Sequence, residues 1–286
     1  MLQDDARVAQ AVYKPFGKRD IATKDKNGNR VVLFEEVTDP EELAKLDLHP
    51  ADLHPNADDL IEMGLINEEE RHLVRDSEFR AGVFKKPGTN DYKIVFKGTT
   101  SRADWVQNLL QGTTSRSDYY SRAKEIGRDA ASKVGKDGVG DVKFVGHSLG
   151  GGLASAAAHA SGAHATTFNA AGLHLFNRKW FNAPSVDAVS VNGDILTSLQ
   201  SGLSPALPQA VGKTYRLKPP ANTKSAAARA NFDRWDRLVP IKGAIKYTKA
   251  AIARAVDLHG MARVRQSLRQ RDGILGDKAV ASGCKC

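Results

Sequence analysis

The amino-acid sequence predicts an α/β fold in which a mostly parallel central sheet carries helices on both faces. Short apolar runs alternate with helical stretches in the middle of the chain, and this alternation is typical of parallel strands joined by crossover helices. Two runs, FRAGVFKK and DYKIVFKG, flank the turn sequence PGTN and predict a pair of strands. Three further strands are predicted at VKFVG, ATTFNA and DAVSVNGD.

Two parts of the chain differ in pattern. Residues 1–75 are predicted as a mostly helical N-terminal extension packed on the core. Residues 76–286 hold the α/β pattern and are predicted as the main domain, with a basic helical region at 213–271. With 286 residues, of which 41% are apolar, the chain is long enough to bury a sizeable core.

The composition excludes several classes of protein. The longest apolar runs are far shorter than the roughly 18 residues of a transmembrane helix. The N-terminal sequence MLQDDARVAQAVYK lacks the apolar segment of a secretory signal peptide. The two cysteines, Cys284 and Cys286, are too close for a relaxed disulfide bond, and we interpret them as free thiols in a frayed tail.

Positive charge is concentrated in residues 213–271. This region holds 15 Lys and Arg against 3 Asp, and the whole chain has a net charge of +9. A basic surface of this kind binds phospholipid headgroups, nucleic acid or an acidic protein, and the alternative is a solvated helical face. Nucleic acid is the least favoured partner, because Tyr247 is the only aromatic residue in 240–271 and no recognised motif is present.

Residues 142–158, VKFVGHSLGGGLASAAA, combine an apolar run, a glycine-rich turn and a helical stretch. Glycines in such a turn either cradle a phosphate or give room to a nucleophilic serine. A P-loop requires a lysine after the glycines, and a dinucleotide site requires an acid about 20 residues later. The sequence has neither, since no Asp or Glu occurs between Asp141 and Asp187. The turn is therefore predicted to carry a nucleophile.

Gly146, His147, Ser148 and Gly150 fit the pattern G-x-S-x-G, with Leu149 in the fourth position. In this motif small residues surround a serine with a strained backbone, so that strand and helix come close together. Ser148 is therefore predicted as a nucleophile. The backbone N–H of Leu149, at the helix N-terminus, is predicted to donate to an oxyanion. A Gly-Ser turn without chemistry is the alternative.

A serine nucleophile requires a histidine base and an acid that orients the histidine. In chains with this motif the acid and then the histidine follow the serine. Asp194 ends the predicted strand AVSVNGD, at the sheet edge where the nucleophile is expected, and His259 is the only histidine after it. We therefore predict Asp194 as the acid and His259 as the base, with Asp233 and Asp236 as fallback acids.

A second oxyanion donor is predicted at the end of the strand KIVFKG. Gly98 permits a tight turn there, and Thr99 offers a backbone N–H and a hydroxyl group. An ordinary strand-to-helix turn explains the same residues equally well, and the spacing leaves both interpretations open. No metal ion or organic cofactor is predicted, because a serine, a histidine and an aspartate are sufficient for acyl transfer.

These residues together resemble the fungal-type (class 3) lipases of the α/β-hydrolase fold. The matching segments, in chain order, are Phe96-Lys97-Gly98-Thr99, Asp104-Trp105, GHSLGG, Asp194 and His259. The resemblance implies an α/β-hydrolase fold, a place for Thr99 in the oxyanion hole, and a lid-like helix that begins at Asp104 and Trp105. Lys97 departs from the family, which has an arginine at this position.

The lack of a leader and of disulfides, together with the basic region, makes the chain similar to bacterial phospholipase effectors that specialised secretion systems inject into rival cells. The resemblance implies synthesis in a bacterial cytoplasm, export by such a system, and action at a target membrane that is bound through the basic C-terminal face. It also implies an immunity protein as an inhibitory partner.

The predicted function is hydrolysis of acyl esters of lipids by a serine esterase, with phospholipase A as the preferred specificity. An esterase acting on other esters is one alternative, and a hydrolase-fold binding module without turnover is another. The intact set of Ser148, Asp194 and His259 favours an enzyme, since a decayed site would have lost at least one of them.

Overall fold

The computed structural model describes residues 1–75, 77–98, 117–173, 183–202, 210–220 and 253–282. An eight-stranded sheet contains its strands in the order in which they occur in the chain. The strands are β1 (Ile21–Lys24), β2 (Arg30–Val37), β3 (Ala81–Lys85), β4 (Tyr92–Phe96), β5 (Val142–His147), β6 (His164–Phe168), β7 (Val186–Val191) and β8 (Lys213–Leu217). The helices are α1 (Leu2–Ala11), α2 (Pro40–Ala44), α3 (Pro50–Leu53), α4 (Ala57–Glu62), a 3-10 helix (Glu69–Leu73), α5 (Ser117–Ser132), α6 (Leu149–Ser161), α7 (Ile195–Gly202), the helical residues 253–259, and α8 (Met261–Ser282).

Strands β1 to β4 pair antiparallel, and strands β4 to β8 pair parallel. The predicted strand pair around PGTN is β3 and β4, in which Ala81 lies opposite Phe96. The strands predicted at VKFVG, ATTFNA and DAVSVNGD are β5, β6 and β7. The predicted α/β fold is thus confirmed, as a mixed sheet in which the later strands are parallel.

Each face of the sheet has its own apolar core. Helices α5 and α6 cover one face, where Ile126 and Leu153 belong to the same buried cluster as Phe144. Helices α1 and α8 cover the opposite face, with Val8 and Val264 in its buried cluster. A crossover between two parallel strands is right-handed. Because the parallel strands β4 to β8 are added to the sheet in one direction, their crossovers lie on the same face.

Within the described ranges, no helix is both long and apolar enough to cross a lipid bilayer.

Residues 1–75, predicted as a mostly helical extension, supply strands β1 and β2 to the same sheet as the rest of the chain. Leu43 and Leu60 from this part belong to the same buried cluster as Phe79 and Phe96. The sheet and the core therefore both continue across residue 75, and the division of the chain at this point stays a prediction.

Helix α1 is fixed to the sheet by a buried ion cluster around Asp5. The Asp5 carboxylate accepts hydrogen bonds from Lys93 Nζ (2.5 Å), Lys143 Nζ (2.7 Å) and Thr166 Oγ1 (2.9 Å). These partners lie on β4, β5 and β6, so one carboxylate bridges three neighbouring strands. Burial raises the pKa of Asp5, but the two ammonium groups outweigh burial and lower this pKa below its usual value.

The replacement Asp5→Asn is expected to destabilise the protein by about 3 kcal/mol at neutral pH, because two partly buried lysines lose their counter-charge. Urea denaturation measures the free energy of unfolding. Since the folded-state pKa of Asp5 is lowered, the wild type keeps this advantage above about pH 4 and loses it as the pH falls through that pKa.

The matched control for this cluster is Asp4→Asn, at a partly exposed neighbour that pairs with Arg7. It should change the free energy of unfolding by less than about 0.5 kcal/mol. If Asp5→Asn were as stable as the wild type at neutral pH, the buried ion cluster would not be what fixes helix α1.

Candidate active site

Ser148 lies in the turn between strand β5 and helix α6. Its backbone angles, φ 60° and ψ −126°, belong to a region that residues with a side chain rarely adopt. The Ser148 N–H donates to Phe168 O (3.1 Å), and Ser148 O accepts from Ala171 N–H (2.8 Å). Because both partners lie at or just after the end of β6, the neighbouring strand holds the strained turn in place.

Gly146 and Gly150 let strand and helix approach too closely for any side chain. A Cβ atom at Gly146 would lie 2.0 Å from Gly150 O, and one at Gly150 would lie 2.1 Å from Phe96 O. The obstructing atoms belong to the backbone, so they cannot move aside for a methyl group. The second contact also brings the end of β4 against the first turn of helix α6.

Gly98 places the end of strand β4 beside the turn that carries Ser148. A Cβ atom at Gly98 would lie 2.6 Å from His147 O and 3.2 Å from Ser148 Cβ. The chain therefore leaves β4 in contact with the predicted nucleophile.

The predicted oxyanion donors are described only in part. Leu149 is the first residue of helix α6, and the N–H groups of a first helical turn have no partner within the helix. An amide at this position can donate to a negatively charged oxygen bound at Ser148. Thr99, Asp104 and Trp105, predicted for the oxyanion hole and the lid-like helix, lie outside the described residues.

Asp194 and His259 are in direct contact although they are far apart in sequence. His259 Nδ1 donates to Asp194 Oδ1 (2.6 Å), and Asp194 is fully buried. The other oxygen, Oδ2, accepts from Thr197 N–H (2.8 Å) and from Thr197 Oγ1 (2.9 Å). Because an ionised carboxylate can only accept, His259 carries its proton on Nδ1, and the lone pair that a general base requires is on Nε2.

His147, the residue before Ser148, contacts the same histidine. His147 Nε2 donates to His259 O (2.7 Å), and the centroids of the two rings are 4.8 Å apart. Burial and the nearby His259 lower the pKa of His147 to about 3, so this imidazole is neutral at physiological pH. The structure therefore brings the Asp194–His259 pair to the turn that carries Ser148.

Tyr13, which follows helix α1, completes a chain of hydrogen bonds that sequence analysis missed. Since His147 donates through Nε2, its Nδ1 accepts from Tyr13 Oη (3.0 Å). The same hydroxyl oxygen accepts from Gly98 N–H (3.1 Å). One hydroxyl group thus links the end of β4 to the turn of Ser148 and, through His147, to the backbone of His259. No sequence signal identifies Tyr13, because 134 residues separate it from His147.

Asn169 is a second residue that sequence analysis missed. It is fully buried just after strand β6, and its Nδ2 donates to Leu258 O and to His259 O (both 3.1 Å). Its Oδ1 accepts from Val191 N–H (2.9 Å) at the end of β7. One amide group therefore fixes both the segment that carries His259 and the strand that leads to Asp194. A polar residue near the end of the predicted strand ATTFNA, at the edge expected for the acid, is the signal that could have identified it.

A cavity of about 150 Å³ lies beside the turn of Ser148. Its lining residues are Glu78, Phe79, Arg80, Lys97, Gly98, Tyr119, Leu149 and Leu153. The lining combines aromatic and leucine side chains with charged ones. A cavity of this composition can hold a group that is both apolar and charged.

Comparison with protein families matches residues 4–230 to a family described as phospholipase-like, with a Tle-like phospholipase domain. An extracellular phospholipase A1 from Serratia liquefaciens is 37% identical over 153 residues, which are 49% of this chain and 46% of that protein. The chain thus spans about half the length of the curated relative that it matches.

Two solved structures are similar to the chain at low sequence identity. A triacylglycerol lipase from Penicillium expansum has a TM-score of 0.41 and 14% identity, over 76% of this chain and 79% of that chain. The Lip2 lipase from Yarrowia lipolytica has a TM-score of 0.40 and 13% identity, over 76% of this chain and 77% of that chain.

Tyr13→Phe is expected to lower the free energy of unfolding by about 2 kcal/mol, because the Gly98 N–H and His147 Nδ1 both lose a buried partner. Chemical denaturation measures the change. Tyr215→Phe, at a partly buried tyrosine of strand β8, is the control and should change stability by less than about 0.5 kcal/mol. Equal effects of the two replacements would contradict a structural role for the Tyr13 hydroxyl.

Proposed function

The chain belongs to the Tle-like phospholipase family, and on this premise we propose that it is a phospholipase A with Ser148 as its nucleophile. The observation that supports the proposal most directly is the 2.6 Å hydrogen bond between His259 and Asp194, beside the strained turn of Ser148. A histidine that is oriented by a buried carboxylate is the group that activates a serine for acyl transfer. The relative from Serratia is described as a phospholipase A1.

In the proposed reaction, Ser148 Oγ attacks the ester carbonyl carbon and His259 Nε2 takes the hydroxyl proton. Asp194 holds the Nδ1 proton of the histidine and stabilises the imidazolium that forms. The backbone N–H groups of Leu149 and Thr99 bind the oxyanion. The imidazolium gives its proton to the leaving alcohol, and water, deprotonated by His259, then hydrolyses the acyl-enzyme. These steps require no metal ion or organic cofactor.

Two alternatives concern the substrate and the turnover. A hydrolase that prefers esters other than phospholipids would use the same residues. Only a comparison of the rates on different substrates can distinguish it from a phospholipase. A binding module without turnover would have no use for a buried carboxylate that orients a histidine. Burial of a charged group is costly unless it is well paired, so the Asp194 site favours an enzyme.

The wider proposal is that the protein acts at a target membrane after export from a bacterial cell. The Serratia relative is described as extracellular, which supports export. A specialised secretion route, an effector role and an immunity protein are proposed from the resemblance to bacterial phospholipase effectors. An enzyme that cleaves membrane lipids endangers the cell that makes it, and this is the reason to expect an inhibitor.

The basic region 213–271 is proposed as the membrane-binding surface. The structure describes residues 213–220 and 253–271 of this region. Lys213, Arg216 and Lys218 are exposed on and just after strand β8. Exposed cations of this kind attract anionic lipid headgroups, each with a contribution of about 1 kcal/mol near the membrane surface.

Ser148→Ala is expected to lower the rate of phospholipid hydrolysis by about 10⁴-fold or more and to abolish labelling by a fluorophosphonate. The assay is mass spectrometry of the products from vesicles of a phospholipid with two different acyl chains, which also identifies the acyl position that is cut. Ser132→Ala, at an exposed serine of helix α5, is the control and should retain activity. Equal hydrolysis by wild type and Ser148→Ala would refute the proposed nucleophile.

Binding to vesicles that contain anionic phospholipid is expected to weaken as the salt concentration rises, because exposed charges are screened. Cosedimentation of the Ser148→Ala protein measures binding without loss of the lipid. Vesicles of neutral lipid are the control. Binding that is the same at low and high salt would rule out the basic region as the membrane-binding surface.

A further inference from the structure

Arg80 and Lys97 line two cavities at once. The smaller cavity, of about 150 Å³, is also lined by Leu149 and is the one beside the turn of Ser148. The larger cavity, of about 500 Å³, is also lined by Lys14 and Lys18. A ligand that extends from the candidate active site into the larger cavity therefore passes these two cations.

The two cations lie opposite each other at the ends of adjacent strands, with Arg80 directly before β3 and Lys97 directly after β4. The Lys97 N–H donates to Arg80 O (3.0 Å), which continues the antiparallel pairing of Ala81 with Phe96. Like charges directly opposite each other in a strand pair repel, and partial burial strengthens the repulsion because it lowers the local dielectric constant. An anion bound between the two side chains would relieve this repulsion.

Neither cation forms an ion pair within the part of the chain that the structure describes. Arg19, which lines the same larger cavity, differs, because its guanidinium is paired with the Glu36 carboxylate (3.2 Å). Burial, and then the positive charges of Arg80 and Arg19, lower the pKa of Lys97 below its usual value, against an opposite effect of Glu78. The two cavities together are lined by five Lys and Arg side chains against three carboxylates (Asp59, Glu62 and Glu78), so positive charge is in excess.

We propose that Arg80 and Lys97 form a phosphate subsite, which holds the phosphodiester of the lipid whose ester bond is cleaved at Ser148. The inference rests on the proposed function and adds which group of the substrate the protein recognises. A guanidinium and an ammonium group supply charge-assisted hydrogen bonds to phosphate oxygens. The apolar wall that Phe79 and Leu153 give to the smaller cavity favours a lipid over free phosphate.

The positions along the chain suit one lipid molecule. Lys97 directly precedes Gly98, whose Cβ position lies 3.2 Å from Ser148 Cβ. Consecutive Cα atoms are about 3.8 Å apart, so the lysine begins close to the nucleophile. In a phospholipid, only the glycerol backbone separates the phosphate from the ester groups. The headgroup beyond the phosphate would then occupy the larger cavity.

The test compares two lipids that differ in the phosphate group, dioctanoyl phosphatidylglycerol and dioctanoylglycerol, each in micelles of a neutral detergent. The measured quantity is the ratio of kcat/KM for the phospholipid to kcat/KM for the diacylglycerol. Lys97→Met and Arg80→Gln are each expected to lower this ratio about 10- to 100-fold, since each removes a charged hydrogen-bond donor. Lys97→Arg should restore most of the ratio, because a guanidinium also binds phosphate.

Lys86→Met is the matched control. Lys86 is exposed in the turn at the other end of the same strand pair, so its replacement removes the same charge away from both cavities. The ratio should stay within about twofold of the wild-type value. If Lys86→Met lowered the ratio as much as Lys97→Met does, general surface charge would explain the preference and the subsite would be refuted.

The subsite and the proposed function fail in different ways. An unchanged ratio in Lys97→Met, Arg80→Gln and the double variant, all still labelled by a fluorophosphonate, overturns the subsite alone. If the wild type cleaves neither lipid, the proposed function fails. The subsite is then tested by measuring the affinity for dioctanoyl phosphatidylglycerol, and equal affinity of wild type and Lys97→Met overturns it. If inorganic phosphate binds as tightly as the phospholipid does, the site binds the free anion, and the lipid subsite is overturned as well.

Discussion

The strands of the sheet are neighbours in chain order, and this winding places the crossover helices α5 and α6 on the same face. The apolar side chains of the other face must also be removed from water, and helices α1 and α8, which come from opposite parts of the chain, cover it. The buried carboxylate of Asp5 holds α1 to three strands at once. Both covering helices adjoin the candidate active site, because Tyr13 follows α1 and His259 precedes α8.

The position of the proposed base depends on its backbone as much as on its side chain. His259 O accepts hydrogen bonds from His147, just before Ser148, and from Asn169, just after strand β6. These two side chains hold the backbone of the segment that carries His259. Asn169 also binds the N–H of Val191, in the strand that leads to Asp194. A shift of the histidine segment would therefore disturb the strand that leads to its acid, because the Asn169 amide group binds both.

The strands and the turn of Ser148 could be predicted because hydrophobic period and glycine spacing are local properties of the sequence. Chain order and the rule that parallel strands end at one edge indicate Asp194 and His259. Their atoms Oδ1 and Nδ1 lie 2.6 Å apart, although the roles of the two residues stay predictions. Tyr13 could not be predicted in this way, because its partners are set by how helix α1 packs on the sheet. Asn169 does have a local signal, its place at the end of a predicted strand, but its partners on the His259 segment and on β7 are not visible in the sequence. The resemblance to phospholipases is confirmed by the family match over residues 4–230.

His259 comes after the eight strands that the structure describes. During translation, the ribosome therefore completes the turn of Ser148 and the strand that leads to Asp194 before it adds the histidine. Helix α1 is synthesised first, but it can pack on the sheet only after the three strands that bind Asp5 have left the ribosome. On the proposed mechanism, a nascent chain has a nucleophile without a base, so lipid cleavage begins only when synthesis of the sheet is complete.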